Sequence, residues 1–517
     1  MKNNTLIYLI SFFSGFLSLA IEIIWMRTIS FVAMSAPQAF AYTLAVFLLG
    51  IAIGAALGKK LCSEAKIGAV SVGKIYMLAG IVDLCILGAS IKLATNEYII
   101  FMMGGFVLIS AIIRGIVFPV VHHLGVDNSK KGKSSEKSGR QVSNVYFLNV
   151  FGSSLAPLTI SFVLLEHFTT QQVYLMVVAI TFLISALCLR SLFGRIVATL
   201  FMSSTLVTAS QASEQLFHNL SVNSYTDNHA PEKILENKHG FISVYTNKDP
   251  EMKHDRLVFG NNAYDGRLNT DIYENTNGIS RAYLLATMKK DLNNVLVVGL
   301  SSGAWTEILT SNPNIKKITV VEINPAYLKL IESEPTVANL LKDKRLEIII
   351  DDGRKWIKRN QDKKFDLVMI NTTFHWRAYS SNLLSQEFLG LLKNVLNKNG
   401  LAYYNSTLSA DAYYTANKVF PYTYQHKYMV VVGNEPITIN KEVVEDQICK
   451  LKNQMNGEQL FKTRFDCHIA ALAATEDPLI PYKDINFHEF AAHEGELITD
   501  DNMLTEYKHG GNKTRKN

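Results

Sequence analysis

The sequence predicts two dissimilar parts. The first is a polytopic α-helical membrane domain of six or seven spans, and the second an α/β domain on a doubly wound parallel sheet, with a small β-rich domain at its N-terminal edge. Three observations carry this. Charge is unevenly spread, with 15 Lys+Arg and 7 Asp+Glu in residues 1–212 against 36 and 38 in residues 213–517. Apolar runs of about 20 residues, enough for a helix to cross a bilayer, crowd the first part. After Lys290, short apolar strands alternate with helical segments. The whole-chain averages, a net charge of +6 and a mean hydropathy of +0.11, describe neither part. A length of 517 residues with 48% apolar content excludes a disulfide miniprotein, a disordered chain and a collagen-like repeat.

Spans are predicted near residues 5–25, 39–58, 75–91, 98–121, 144–166 and 171–189, within a membrane domain of 1–192. A cleaved signal peptide would explain only the first, and no A-x-A site follows it. Twelve basic residues fall on one side of these spans: Lys2, the Lys59–Lys74 cluster, the Lys130–Arg140 cluster, and Arg190 with Arg195. Only Arg27 and Lys92 fall on the other. The richer side should face the cytoplasm. Six spans then make an integral protein of a bacterial inner membrane, with the N-terminus and the soluble domain both cytoplasmic. Residues 192–212 leave the alternative open. As a seventh span they would put everything after them outside, and as a Ser/Thr-rich interfacial helix they would not.

Gly50, Gly54 and Gly58 share one helix face and predict close helix packing. Glu22, Asp83 and Arg114 are ionisable groups inside apolar runs, which predicts a Glu22–Arg114 or Asp83–Arg114 pair. His122 and His123 are adjacent and cannot share a helix face, so no metal is expected there. The loop 125–142 reads as a flexible basic segment near anionic headgroups, and no nucleic-acid partner is needed to explain it.

Residues 213–290 form the small β-rich domain, with strands at 241–246 and 256–260. Residues 291–440 read as a Rossmann-like, class I methyltransferase-type domain. Its strands are predicted at 294–300, 317–324, 345–353, 365–371 and 401–406, and a closing hairpin within 428–439. Between the fourth and fifth strands an amphipathic helix, 385–397, is closed by Gly400. Residues 441–517 are a helical extension and tail. Ligands of such sheets bind beyond the carboxyl ends of the strands. The first strand ends in a small-residue loop, Gly299 to Gly303, and the second in Glu322, whose carboxylate can accept both ribose hydroxyls. The third ends in Asp351-Asp352-Gly353, suited to an adenine amino group, and the fourth runs into Asn371, His375, Trp376 and Arg377. The loop is not G-x-G-x-x-G and shows no phosphate clamp, which favours a nucleoside such as S-adenosylmethionine over NAD.

The stretch from Gly240 to Tyr507 resembles the polyamine aminopropyltransferase (spermidine synthase) family. VLVVGLSSG resembles the family's first-strand glycine motif, VVEIN its ribose-binding strand and IIIDDGR its adenine-binding strand. FFSGFLSLAIEIIWMR, FLLGIAIGAALGKKL and SGRQVSNVYFLNVFGSSLAP resemble the membrane extension of a fused, spermidine synthase-like subgroup. The resemblance implies decarboxylated S-adenosylmethionine or S-adenosylmethionine as co-substrate, held by Gly299, Ser301, Gly303, Glu322, Asp352 and Gly353. It also implies that Tyr264, Asp265 and Asp271 lie on the substrate side.

The family's fourth strand ends in D-x-x-D, whose first carboxylate is the base for the attacking amine. Here those positions are Asn371 and Phe374, and Ser301 stands for a further acid in the glycine loop. Asn cannot act as a base and Phe cannot pair with an ammonium. Asn371, His375 and Arg377 are therefore the candidate catalytic residues, with Trp376 beside them for stacking, and the acceptor is expected not to be a standard diamine. The expected partners are a small-molecule or lipid acceptor, membrane lipids and a second copy of the chain in a homodimer. Two other readings stay open: a methyltransferase or lyase on the same fold, and a non-catalytic, nucleoside-sensing, transporter-like protein. Cys449 and Cys467 are free thiols if the domain is cytoplasmic, and a candidate disulfide if the seventh span crosses.

Overall fold

Backbone polar groups cannot go unpaired in an apolar environment, so long apolar runs fold as helices. In the computed structural model the described residues are 3–64, 67–127, 135–211, 215–222, 229–247, 249–371, 374–489, 491 and 495–508. They divide into two units, Met1–Ala33 with Gln38–Lys238, and Met34–Pro37 with His239–Asn517.

Among its described residues the first unit contains seven helices long and apolar enough to cross a membrane. They are α1 (Asn3–Val32), α2 (Gln38–Glu64), α3 (Ala69–Lys92), α4 (Ile99–Asp127), α5 (Ser135–Pro157), α6 (Thr170–Cys188) and α7 (Leu192–Gln211). The fifth continues past Pro157, which removes an amide donor, through wider π-type turns at Leu158–Leu164. Residues 192–211 of the equivocal segment thus form a full 20-residue helix, with Phe201 stacked 5.1 Å from Phe182 of α6. The predicted glycine face is a close contact between α2 and α4: a Cβ on Gly54 would lie 2.2 Å from the Ile112 carbonyl oxygen. A short helix α8 (Gln215–Ser221) and strand β1 (Lys233–Asn237) complete the unit.

Arg114 pairs with Asp83 rather than Glu22. Its guanidinium lies 2.6 Å from Asp83 Oδ2, and Ser110 donates to Asp83 Oδ1 at 2.8 Å. Removing one partner of such a buried pair leaves a charge without compensation, at about 3–5 kcal/mol. Arg114→Leu is therefore expected to lower the melting temperature of the purified full-length protein, and Asp83→Leu with Arg114→Leu to restore most of it. A single variant that melts like wild type would show the pair to be dispensable.

In the second unit, β2 (Gly240–Tyr245), β3 (Leu257–Gly260) and β4 (Ala263–Arg267) form an antiparallel meander with an irregularity at Val258/Phe259. Helix α9 (Ser280–Thr287) leads into the large sheet. Its strands are β5 (Asn294–Val298), β6 (Lys317–Glu322), β7 (Leu346–Ile350), β8 (Phe365–Ile370), β9 (Leu396–Asn405), β10 (Tyr422–His426), β11 (Met429–Gly433) and β12 (Ile480–Pro481). The order is β12-β10-β11-β9-β8-β5-β6-β7. The five strands from β5 to β9 are mutually parallel. The β10, β11 and β12 pairings are antiparallel, so the sheet is mixed rather than wholly parallel. Helices α10 (Ala304–Ser311), α11 (Ala326–Glu332), α12 (Gly353–Arg359), α13 (Gln386–Val395) and α14 (Ala410–Val419) join and follow the strands. The core around Leu296, Val368, Phe388, Tyr404 and Val430 is fully buried, as a sheet covered on both faces requires.

Three expectations are corrected. The closing hairpin pairs β10 with β11 through a turn at Lys427, and residues 437–439 take no part. Pro436 offers no amide hydrogen, and the Ile437 N–H donates to the Tyr424 hydroxyl instead of a strand. Helix α13 stops at Val395, and Gly400 lies within β9, where a Cβ would sit 2.7 Å from the Phe365 carbonyl oxygen. Cys449 and Cys467 are not free: helices α15 (Lys441–Ile448) and α16 (Arg464–Ala474) bring them together as a disulfide with a Cα–Cα distance of 5.3 Å.

Candidate active site

The chain visits β5, β6 and β7 in turn and then crosses back to β8, so the strand order reverses between β5 and β8. Carboxyl strand ends diverge at such a point and leave a crevice. Two cavities open there within the second unit, of about 550 Å³ and about 490 Å³.

The larger is built from the ends of β5, β6 and β7 and includes Gly299, Ser301, Glu322, Asp352 and Gly353. The loop Gly299–Gly303 turns sharply: Gly299, Ser301 and Gly303 have φ of 83°, 53° and 80°, and a Cβ on Gly303 would approach Ile331 Cδ1 to 2.9 Å. Left-handed φ and the absence of a side chain together favour glycine at Gly303. Gly303 shapes this turn as the N-cap of α10 and is not itself in the cavity lining. Glu322 is almost fully buried, at 3% exposure, beneath the loop. Its Oε2 accepts from the Leu300 N–H at 2.6 Å and its Oε1 from the Asn324 N–H at 2.7 Å. Burial pushes its pKa up to about 7, against the pull of these two amides. Asp352 caps α12 through the Lys355 N–H at 2.8 Å.

The smaller cavity lies across Asp265 and is lined by Tyr264, Arg281, Asn371, Phe374, Thr407 and Tyr428, among others. Asp265 borders both cavities. Its Oδ2 accepts from the Tyr327 hydroxyl, and the Arg377 guanidinium is its charged neighbour. Burial nevertheless raises its pKa to about 6. Ser301 donates to the Asp265 carbonyl, and Ser302 to the Arg267 carbonyl at 2.7 Å, so the glycine loop is tied to β4.

The residues singled out in the sequence are thus unevenly distributed. Arg377 lines the larger cavity and Asn371 the smaller. His375 is buried and outside both linings; its Nδ1 lies 2.5 Å from the hydroxyl of Thr407, which does face the smaller cavity. Trp376 is also buried outside them, against Phe374. Asp271 caps the following turn through the Tyr273 N–H and lines neither cavity. Arg281, Lys427 and Tyr428 come from α9 and the β10–β11 turn and were not anticipated. No pattern in their own segments marks them. Among the described residues no cluster of His, Cys, Asp and Glu suits a metal ion.

Residues 283–421 match the family model for the spermine/spermidine synthase domain, and this region belongs to that family. A polyamine aminopropyltransferase of Prochlorococcus marinus is 32% identical over 111 residues, covering 21% of this chain and 39% of that protein. The eEF1A lysine and N-terminal methyltransferase homolog of Drosophila pseudoobscura pseudoobscura is 30% identical over 163 residues, 29% of this chain and 24% of that protein. A spermidine synthase crystallised with the transition-state analogue AdoDATO has a TM-score of 0.36 at 14% identity, over 48% of this chain and 89% of that one. The chain spans less than half the length of these two curated relatives.

Proposed function

We propose that the protein is a membrane-bound, spermidine synthase-like transferase. Its donor is an S-adenosyl nucleoside, either decarboxylated S-adenosylmethionine or S-adenosylmethionine, and its acceptor is not a standard diamine. One observation carries this reading: two cavities meet at Asp265, one with Glu322 beneath a glycine loop, the other with Asn371 and Phe374 where a diamine site would be acidic. In the transfer, the acceptor's nucleophile attacks the carbon attached to the sulfonium. The bond to that carbon forms as its bond to sulfur breaks, sulfur keeps the electron pair, and the nucleophile gives up a proton. Asp265 is the base in this reading, since it borders both cavities and its raised pKa leaves it ionised, yet basic, near neutrality. Asn371 orients the acceptor, Arg377 holds Asp265 in place, and His375 acts only through Thr407. Methyl transfer would use the same donor cavity, and mass analysis of the products separates the two. Calorimetry on the full-length protein in micelles, with S-adenosylmethionine, its decarboxylated form and methylthioadenosine, should detect binding of at least one. Binding of none would sink the reading.

We further infer that the first unit is an integral membrane domain with its basic loops in the cytoplasm. Those loops join α2 to α3, α4 to α5 and α6 to α7, so the chain that follows α7 emerges on the opposite side. This departs from the cytoplasmic placement that six spans would imply. Two observations support it. Leu216, Asn219, Glu236 and Asn237 hydrogen-bond to Gln171, Ile91, Thr170 and Arg27 respectively, all at helix ends remote from the basic loops. Both cysteines of the second unit are joined, as in oxidising compartments, whereas Cys62, Cys85 and Cys188 of the first are free. The S-adenosyl donor would then have to be supplied on that face. In chains lacking the three free cysteines, Lys398→Cys should react with an impermeant maleimide on intact cells. Lys59→Cys should react only after permeabilisation, and the reverse pattern refutes the topology.

A further inference from the structure

We infer that the acceptor carries an oxyanion, a carboxylate or a phosphate, and that Arg281 binds it. This rests on the transferase reading and names the substrate class of the same site. The charged residues of the smaller cavity are Asp265, Arg281 and Lys427. Lys427 is committed to Asp477 at 2.8 Å, while Asp265 accepts from the Tyr327 hydroxyl and has the Arg377 guanidinium as a charged neighbour beyond ion-pair distance. Among the described residues, Arg281 has no carboxylate within ion-pair distance. Its guanidinium is held over two aromatic rings, 5.1 Å from the centre of Trp305 and 5.9 Å from that of Tyr428. Its Nε donates to the Gly278 carbonyl at 3.2 Å.

Aromatic faces steady a cation without neutralising it. A guanidinium has five N–H donors in a planar fork, and that fork matches a carboxylate or phosphate. The rest of the wall brings amides and hydroxyls, such as Asn277, Asn371, Asn405 and Thr407. These can solvate either end of an acceptor but cannot balance a second positive charge. One ammonium of a diamine can face Asp265, but the second would meet a wall on which Arg281, with no carboxylate within ion-pair distance, is already positive. A molecule with an amine at one end and an oxyanion at the other matches both ends, its amine toward Asp265 and its oxyanion toward Arg281. A volume of about 490 Å³ accommodates a small molecule of this kind.

Three probes of similar length carry a primary amine and differ at the far end: 1,4-diaminobutane, 4-aminobutyrate and O-phosphoethanolamine. Their binding is measured on the full-length protein with methylthioadenosine present. At least one anionic probe should bind tenfold or more tightly than the diamine, and which one does separates an amino-acid carboxylate from a lipid-headgroup phosphate. Arg281→Met should lose that binding tenfold or more at unchanged methylthioadenosine affinity, and Arg281→Lys should retain part of it. The inference is overturned if the diamine binds as well as the anionic probes. It is also overturned if neither anionic probe binds while the nucleoside does, or if Arg281→Met leaves their binding unchanged. Loss of nucleoside binding by the wild-type protein would instead defeat the transferase reading.

Discussion

Asp265→Asn is expected to slow conversion of the nucleoside donor at least 100-fold while nucleoside affinity changes no more than about threefold. Carboxylate and carboxamide have the same shape, and the carboxamide oxygen of the variant would still accept the Tyr327 hydroxyl. What is lost is the one group bordering both cavities that can take a proton. Proton removal by a placed base contributes about 10²–10⁴-fold, and it is most effective when the base's pKa lies near the working pH. Burial raises Asp265 to about 6, so the wild-type rate should climb with pH and level off above that value. The variant's residual rate should lack this inflection. Donor conversion to methylthioadenosine, followed in single turnover across pH 5–8 with the amine probes, gives both readouts. A variant with near-wild-type rates would return the base to His375 and Thr407, and His375→Ala would then have to carry the loss.

The larger cavity was legible in the sequence because each of its main groups sits at a strand end. Gly299 follows, and Glu322 ends, an apolar strand that is largely buried, and Asp352 follows the apolar but only partly buried edge strand β7, so loop chemistry could be located by counting along the chain. The smaller cavity was half legible. Asn371 and Phe374 follow β8, but their partners come from elsewhere: Arg281 from a helix before the sheet, and Lys427 and Tyr428 from the β10–β11 turn, two strands beyond β8 along the chain. Nothing in YTYQHKYMVVV distinguishes a turn at Lys427 from a continuous strand until β10 pairs with both β11 and β12. His375 and Trp376 illustrate the opposite failure. Polar and aromatic residues after a strand suggest a site, yet both turn into the core, where Thr407 and Phe374 receive them. In the first unit, composition located the helices, whereas the choice of Asp83 over Glu22 as Arg114's partner needed the packing of α3 on α4.

Glu322→Gln is expected to weaken nucleoside binding at least 100-fold, about 3 kcal/mol. Both carboxylate oxygens already face backbone donors, the Leu300 and Asn324 N–H groups, and each keeps a lone pair for a ribose hydroxyl. A glutamine must turn its NH₂ toward one of these amides, which sets donor against donor and disturbs the glycine loop. The charge that strengthens both ribose bonds disappears as well. The pH dependence provides a second, independent signature. Burial raises Glu322 to about 7 from an ordinary 4.5, so the folded free protein keeps a proton that the unfolded chain has already released. The stability this contributes is complete below about pH 4.5 and is lost as pH rises through 7. Binding runs the other way, because ribose hydroxyls donate to the ionised carboxylate. Affinity in the wild type should therefore rise about tenfold between pH 6 and pH 8, with proton release on binding at the lower pH. In Glu322→Gln, calorimetry should find a weak and pH-independent affinity over the same range. A pH-independent wild type would mean that Glu322 is not the group that receives the ribose. A tight-binding variant would mean that the nucleoside enters the larger cavity by other contacts.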